Sequence, residues 1–244
     1  MIDFLKGIFF VRKCMICGAV LPDAEKDTAF CPKCLLEYEK LGREVCGKCG
    51  KRERECACVP GKLKGEISFS AHLFAYENAL SKQLIFALKR KNLGTLQHFL
   101  SADLAKRVSA YDLSDYTVTF APRKPKSVRE YGFDQAEILA KNIAKKLDLP
   151  FETVFQHAHF SKLQKELNAE ERAENAEKSY ALRTDLAPAK RGLLIIDDIM
   201  TTGSTLAVLA SLAKDAGYEK IAVACVAKTT GNWAPPKPAK ENFL

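Results

Sequence analysis

Four apolar runs alternate with amphipathic stretches along this chain of 244 residues. Aliphatic, β-branched and aromatic residues dominate these runs, which predict a strand or hairpin at 67–76 and strands at 116–122, 193–196 and 221–227. Between them, apolar residues recur at helical spacing and predict helices at 78–89, 96–108, 135–147 and 206–214. The alternation of strand and helix predicts an α/β fold with a doubly wound, mostly parallel sheet.

Three stretches depart from this alternation. Residues 151–156 predict a short strand, and the polar stretch 157–180 predicts a mobile loop followed by a short helix. The segment 231–244 has three prolines and no apolar periodicity, so we expect a disordered tail there. The α/β domain is therefore predicted to span residues 65–230.

The most informative stretch is Leu193–Thr205, in which four aliphatic residues run into Asp197 and Asp198. A loop rich in hydroxyl groups follows, and then a helix. Ligands of open parallel sheets bind beyond the carboxyl ends of the strands, and a helix N-terminus offers free N–H donors to an anion. We interpret loop 201–205 as a phosphate site in which Gly203 lets the backbone approach the ligand, and the two acids as acceptors for ribose hydroxyls. The alternative is an ordinary buried strand, a capping residue and a helix.

Four cations follow the strand at 116–122 within seven residues: Arg123, Lys124, Lys126 and Arg129. If that strand neighbours the one at 193–196, the cations lie at the same edge of the sheet as the acids. Such a position suits a pyrophosphate group. The other interpretation is an ordinary basic loop.

Eight of the nine cysteines lie between residues 14 and 58, in three Cys-x2-Cys pairs and one Cys-x-Cys pair. Two such pairs can close a tetrahedron around Zn²⁺, and a metal would replace the core that residues 1–64 are too few to build. We predict a small N-terminal zinc-ribbon-like module with one or two structural zinc ions. The simplest pairing is sequential, a cross-braced pairing is the alternative, and disulfides or a redox pair are the other readings. The eight predicted ligands are Cys14, Cys17, Cys31, Cys34, Cys46, Cys49, Cys56 and Cys58. Cys225 lies in an apolar strand and is predicted to be a core residue.

The charge of the chain is a weak argument for nucleic-acid binding. The formal net charge is +8, from which eight thiolates would remove eight charges and two Zn²⁺ would restore four, leaving +4. No apolar run approaches the length of a membrane span, and the N-terminus lacks the small-residue cleavage site of a signal peptide. We therefore expect a cytoplasmic protein.

The stretch Leu193–Thr205 closely resembles the phosphoribosyl-pyrophosphate (PRPP) motif of the type I phosphoribosyltransferases. The resemblance implies that Asp197 and Asp198 contact the ribose 2′- and 3′-hydroxyls and that Mg²⁺ accompanies the pyrophosphate. It also implies that the loop wraps the 5-phosphate through Thr201, Thr202, Gly203, Ser204 and Thr205. The loop lacks the Gly-Lys-Ser/Thr sequence of a Walker A motif.

Three blocks together resemble the ComF family, in which a zinc-finger segment is fused to a phosphoribosyltransferase-type domain. They are the cysteine array, the segment from Ala121-Pro122 through 131–135, and the segment 196–205. Between the last two, Gln164, Leu167, Arg172 and Asn175 match a spaced pattern in the mobile loop of the family. Tyr131 and Asp134 stand where the family usually has arginine and asparagine, which makes that loop less cationic. Family members support DNA uptake during natural transformation, so the resemblance implies a competence helicase as a partner.

The main hypothesis from the sequence is a PRPP-binding protein of the competence machinery. In a transfer reaction, Asp197 and Asp198 would orient the ribose while Arg123, Lys124 or Arg172 stabilised the leaving pyrophosphate. No acceptor pocket is identifiable from the sequence, so enzymatic activity stays open. One alternative is a zinc-finger adaptor that binds single-stranded DNA or the helicase without transferase activity. The other is a nucleobase salvage phosphoribosyltransferase.

Overall fold

The computed structural model describes residues 12–22, 28–158, 179–183, 190–231 and 233–234. The α-helices within these ranges are α1 (Pro32–Arg43), α2 (Ala79–Arg90), α3 (Gly94–Val108), α4 (Pro125–Tyr131), α5 (Gln135–Leu147) and α6 (Ser204–Asp215). The strands are β1 (Val59–Pro60), β2 (Phe69–Ala75), β3 (Tyr116–Phe120), β4 (Phe155–His157), β5 (Tyr180–Leu182), β6 (Gly192–Met200), β7 (Lys220–Lys228) and β8 (Trp233–Ala234). Two 3₁₀ turns lie at Glu53–Glu55 and Gly61–Leu63. None of the helices in the described ranges is long and apolar enough to cross a bilayer.

Four parallel strands form the central sheet in the order β2–β7–β6–β3. β6 pairs with β7 along its whole length, to Met200 opposite Lys228. β3 pairs with β6 only as far as Phe120, opposite Ile196. The last four residues of β6 therefore extend beyond β3 and form an open ledge. The predicted strand at 193–196 was too short, because pairing with β7 keeps the backbone extended through both aspartates.

Alternate residues of β6 enter two cores on opposite faces of the sheet, as the period of two in a strand requires. Leu194 and Ile196 pack with α2, α3 and α5. Leu193 and Ile195 pack with α6 and with Cys225, which is fully buried. Helices thus cover both faces of a parallel sheet, and the predicted α/β fold class is confirmed.

The cysteine-rich segment contributes to both of these cores. Residues of its first cysteine group, within 14–34, pack on the α2–α3 side, whereas those of the second group, within 46–58, pack on the α6 side. The hydroxyl of Tyr38 on α1 donates to Asp103 on α3 at 2.6 Å. The predicted division into 1–64, 65–230 and 231–244 stays a prediction, and the first two parts share their hydrophobic packing.

The four predicted helices are confirmed to within two residues at each end. α4 was missed, because none of its residues is buried and it therefore has no apolar face to signal a helix. Pro125 begins it and Gly132 ends it, which are the positions that favour these two residues.

Two other segments differ from the sequence prediction. The strand expected at 151–156 lies at Phe155–His157, where it pairs with β5, and Phe151 forms only an isolated bridge with Val118. Trp233–Ala234, within the tail expected to be disordered, pair antiparallel with Val59–Pro60. The loop predicted between 157 and 180 falls largely outside the described residues, and so do residue 232 and residues 235–244.

Candidate functional site

Asp197 and Asp198 lie on the ledge of β6 and differ in their surroundings. Asp198 is buried; its Oδ2 accepts a hydrogen bond from Gln135 Nε2, and its Oδ1 lies 3.3 Å from Lys89 Nζ. Asp197 is half-buried, and its Oδ1 accepts a hydrogen bond from the Asp198 backbone N–H at 2.7 Å. Burial and the neighbouring Asp198 carboxylate raise the pKa of Asp197 well above its usual range. Helices α2 and α5 therefore fix Asp198, whereas ionisation of Asp197 is opposed by its environment.

A cavity of about 370 Å³ opens beside these two acids at the carboxyl edge of β3 and β6. Six of the residues predicted to bind PRPP line it: Arg123, Lys124, Asp197, Asp198, Thr201 and Thr205. Thr202, Gly203 and Ser204 lie between Thr201 and Thr205 on the adjoining turn. Arg172 and its neighbours in the spaced family pattern, Gln164, Leu167 and Asn175, lie outside the described residues.

Arg123 connects the basic loop after β3 to the acids. Its guanidinium donates to Gln135 Oε1 at 2.8 Å and to the Lys89 carbonyl at 2.9 Å, and Gln135 in turn donates to Asp198. The backbone N–H of Arg123 donates to Asp134 Oδ2 at 2.6 Å, while Asp134 Oδ1 caps α5 by accepting from the Ala136 N–H. The carboxylate at position 134 is therefore used inside the fold, where it positions Arg123.

Gly203 is packed against the cysteine-rich segment. It has a φ of +74°, and a Cβ atom there would lie 2.9 Å from Pro60 Cγ and 3.2 Å from Leu63 Cδ1. The sequence interpretation attributed this glycine to the approach of a ligand. In the structure, the close approach is made by Pro60, so the glycine allows the cysteine-rich segment to sit on the loop.

Sequence reasoning missed Lys89, Gln135, Ser127 and Tyr180 as residues that line the cavity. Gln135 stands in the block that resembles the ComF family, and Lys89 was recognisable only as a cation at the end of a helix. Tyr180 gave no signal; its side chain bonds to that of Thr205, and burial raises the pKa of its phenol. Their convergence depends on pairing between β3 and β6, which no local pattern shows.

A second cavity, of about 300 Å³, lies at the carboxyl ends of β2 and β7, beside the second cysteine group. Charged side chains of both signs line it, including Glu44, Glu53, Glu77 and Lys48. The two cavities therefore occupy different parts of the same edge of the sheet.

The eight N-terminal cysteines form two compact groups, each with its sulfur atoms within 4.8 Å of one another. These are the groups of the sequential pairing, namely Cys14, Cys17, Cys31 and Cys34, and then Cys46, Cys49, Cys56 and Cys58. Two sulfurs at about 2.3 Å from a tetrahedral ion lie about 3.8 Å apart, and the Sγ atoms of Cys17 and Cys31 are separated by 3.8 Å. Both groups could therefore hold a metal ion such as zinc.

The first half of each cysteine group is the same turn. The Gly18 N–H donates to the Cys14 carbonyl and the Gly50 N–H to the Cys46 carbonyl, both at 2.9 Å, and both glycines have positive φ angles. The second halves differ, since α1 begins directly after Cys31 and contains Cys34, whereas no helix begins between Cys56 and Cys58. The Cys56-x-Cys58 pair therefore brings its two thiols together without the helical turn that the Cys31-x2-Cys34 pair uses.

Lys228, the last residue of β7, reaches the second cysteine group in the protein interior. Its Nζ lies 3.0 Å from Cys56 Sγ, 3.3 Å from Cys46 Sγ and 3.1 Å from Glu53 Oε2. Glu53 also bonds to His72 at 2.8 Å. The side chains of Glu53, His72 and Lys228 are each at most 2% exposed. Burial opposes ionisation of Glu53, but its bonds to His72 and Lys228 outweigh burial and lower its pKa. This network ties the cysteine group to the sheet.

This chain is similar to known proteins, both in its C-terminal domain and over most of its length. A family model described as "Phosphoribosyl transferase domain" matches residues 134–243. Competence protein ComFC of Streptococcus pneumoniae is 26% identical over 223 residues, which cover 86% of this chain and 96% of that protein. Competence protein F of Haemophilus influenzae is 25% identical over 231 residues, which cover 88% of this chain and 96% of that protein. Together, these matches support the ComF family for this chain.

Further similarities connect this chain to a third relative and to two solved structures. DNA utilization protein YhgH of Escherichia coli K12 is 24% identical over 217 residues, which cover 88% of this chain and 90% of that protein. Among solved structures, orotate phosphoribosyltransferase from Aeropyrum pernix overlaps 60% of this chain and 64% of its own, with 18% identity and a TM-score of 0.34. The PRPP amidotransferase of Bacillus subtilis overlaps 52% of this chain and 25% of its own, with 16% identity and a TM-score of 0.37. The fold is of the type I phosphoribosyltransferase class, and the matched domain implies a phosphoribosyl or related sugar-phosphate ligand.

The Lys228 network predicts that this residue would help the second cysteine group to retain a bound metal ion. Replacing Lys228 by Met should lower the free energy of unfolding by roughly 3–5 kcal/mol, because Glu53 and the thiolates lose a buried cation. It should also speed metal release to a chromogenic chelator. The Lys220→Met variant, at the exposed start of the same strand, is the matched control. Equal release rates for both variants and the parent would contradict a role for Lys228.

The surroundings of Asp197 predict a gain in stability from neutralising it. Asp197→Asn should raise the free energy of unfolding at pH 7 by roughly 1 kcal/mol, because the ionised carboxylate is disfavoured in the folded protein. The gain should shrink as the pH falls through the raised pKa, since protonated Asp197 is neutral as well. Urea denaturation at several pH values measures this. Asp198→Asn should not raise the free energy of unfolding, because it weakens the pairing with Lys89. A lower free energy of unfolding for Asp197→Asn than for the parent at pH 7 would refute the interpretation.

Proposed function

We propose that this protein binds PRPP with Mg²⁺ in the cavity beside Asp197 and Asp198. The observation that carries the proposal is the meeting, at one edge of the sheet, of two acids, a cationic loop and a hydroxyl-rich helix N-terminus. Each part suits one part of PRPP: the loop suits the 5-phosphate, the acids suit the ribose hydroxyls, and the cations suit the pyrophosphate. The cavity volume is within the range of small-molecule sites.

In the proposal, each part of PRPP is bound by its own set of residues. Residues 201–205 hold the 5-phosphate through backbone N–H and hydroxyl groups. Asp197 and Asp198 accept hydrogen bonds from the ribose, and the raised pKa of Asp197 makes Mg²⁺ or a hydroxyl donor favourable beside it. Arg123 and Lys124 contact the pyrophosphate, and Lys89 adds a third cation, whose Nζ lies 3.3 Å from Asp198 Oδ1.

The biological setting that we propose is the uptake and use of DNA. Two relatives that align over almost their whole length are named competence proteins, and a third is named a DNA utilization protein. A competence helicase remains the protein partner that the family resemblance predicts. We propose zinc as the ion of both cysteine groups, since zinc prefers tetrahedral sets of four thiolates and each group brings four sulfur atoms within 4.8 Å of one another.

Titration calorimetry of the full-length protein with PRPP and Mg²⁺ tests the binding proposal. We expect saturable binding, and we expect Asp198→Asn to weaken it by about 10-fold or more, because a carboxylate that accepts from the ribose is lost. Asp215→Asn removes an exposed carboxylate from the end of α6 and is the matched control. No binding by the parent protein, or equal affinity of both variants, would refute the proposal. Pyrophosphate release with one particular nucleobase would instead identify a salvage transferase.

One surface feature favours a second function, contact with single-stranded DNA. Phe86 is 53% exposed, and the guanidinium of Arg90 lies 4.9 Å from its ring centroid. Arg90 and Arg123 lie 5.6 and 4.5 Å from the ring of Tyr131. We call these four residues the aromatic–arginine cluster. The same two helices and the residue before α4 also carry exposed cations, namely Lys82, Lys124, Lys126 and Arg129.

This cluster has the chemistry of a single-strand contact. Bases stack on exposed aromatic rings and on guanidinium planes, and the surrounding cations attract the backbone. The linear sequence gave little sign of it, because Phe86 and Tyr131 lie on different helices. Tyr131, which replaces the usual arginine of the family, is here flanked by two arginines.

Fluorescence anisotropy with a labelled oligothymidylate tests this second function. Phe86→Ala should weaken binding by about 10-fold through loss of stacking. Lys126→Ala should reduce the slope of log K against log salt by about 0.7, since one phosphate contact is lost. Leu36→Ala removes another exposed apolar side chain, 60% exposed on α1, and should leave binding unchanged. Equal effects of Phe86→Ala and Leu36→Ala would exclude stacking at this cluster.

A further inference from the structure

The cysteine-rich segment reaches the loop at residues 201–205 through the 3₁₀ turn Gly61–Leu63. This turn begins three residues after Cys58, and Leu63 within it is fully buried in the core beside α6. Pro60 and Leu63 fill the space next to Gly203. The turn is therefore held between the second cysteine group and the loop, and its side chains have defined positions relative to the loop.

Lys62 is the residue of this turn that approaches the start of α6. Its Nζ donates to Ser204 Oγ at 3.0 Å, and Ser204 Oγ lies 3.0 Å from Thr202 Oγ1. Ser204 is the first residue of the helix. The ammonium group thus lies among the hydroxyl groups of the loop, although 142 residues separate Lys62 from Ser204 along the chain.

A cation at this position is electrostatically unfavourable on its own. The N-terminus of a helix carries a partial positive charge, which repels an ammonium group and attracts anions. The arrangement becomes favourable when an anion lies between the helix N-terminus and the lysine, because both then act on the same negative charge. An anion at this loop would therefore make the observed position of Lys62, whose side chain is exposed, favourable.

We propose that Lys62 is part of the sugar-phosphate site and that its ammonium group binds the 5-phosphate held by residues 201–205. This inference rests on the proposed PRPP site. It adds to that site a phosphate-binding residue from outside the predicted α/β domain. The cysteine-rich segment then has a role in binding, since it supplies one cation to the phosphate. Lys62 should discriminate between the two ends of PRPP, because Arg123 and Lys124 are assigned to the pyrophosphate.

Calorimetric titration of the full-length protein with ribose 5-phosphate and, separately, with Mg²⁺-pyrophosphate tests the proposal. Lys62→Ala should weaken ribose 5-phosphate binding by about 10-fold, the loss expected for one charge-assisted hydrogen bond, and leave pyrophosphate binding unchanged. Lys64→Ala, which removes an exposed lysine two residues further on, is the matched control and should change neither. Lys62→Arg should recover most of the affinity for ribose 5-phosphate.

Thermal unfolding separates a binding role from a structural one. Without ligand, Lys62→Ala should unfold at the same temperature as the parent or higher, because a cation is removed from a helix N-terminus. With ribose 5-phosphate, its stabilisation should be smaller than that of the parent. Equal affinities of Lys62→Ala and Lys64→Ala, or an equal loss for both ligands, would overturn this inference alone. Failure of the parent protein to bind either ligand would overturn the PRPP site as well.

Discussion

The candidate site depends on the unequal lengths of the strands that flank β6. β7 pairs with β6 to Met200, whereas β3 stops opposite Ile196. This difference keeps Asp197 and Asp198 on extended backbone, with α2 and α5 on one face and α6 on the other, and it leaves their free edge facing the loop after β3. A β6 that ended with its aliphatic run would have placed the two acids in a flexible turn. The sheet thus supplies the rigidity that a binding site needs.

The cysteine-rich segment is built into this edge of the sheet. Its two cysteine groups pack on opposite faces of the sheet. Lys228, the last residue of β7, bonds to the second group. Removing a metal ion from the second group would therefore affect the end of β7 and the turn that rests on Gly203. In the structure, Pro60 and Leu63 at the end of this segment also support the loop at residues 201–205.

The sequence predicted those parts of the fold that depend on local periodicity. The helices at 79–90 and 135–147 were found because each has an apolar face and a capping residue, Asn78 and Asp134, whose side chains accept from the first turn. α4 was missed because it has no buried face. The acids and the hydroxyl-rich loop were recognisable because they are contiguous in the chain.

What the sequence did not predict depends on contacts between distant residues. The bond of Lys228 to Cys56 spans 172 residues, and that of Lys62 to Ser204 spans 142. Such pairs leave no periodic trace, and a lysine in a surface-like sequence context is normally solvated. The packing of residue 60 against Gly203 was not foreseen for the same reason, whereas a role of this glycine in ligand binding stays a prediction.

Arg123 connects the two functions that we propose. Its guanidinium bonds to Gln135, which holds Asp198, and also lies over the ring of Tyr131 in the aromatic–arginine cluster. A pyrophosphate that drew this guanidinium into the cavity would change the surface on which a base could stack. Because linkage between two ligands is reciprocal, DNA on the cluster would alter the affinity for the sugar phosphate by the same factor. The cavity and the cluster are therefore expected to act as one coupled surface, with Arg123 as the group they share.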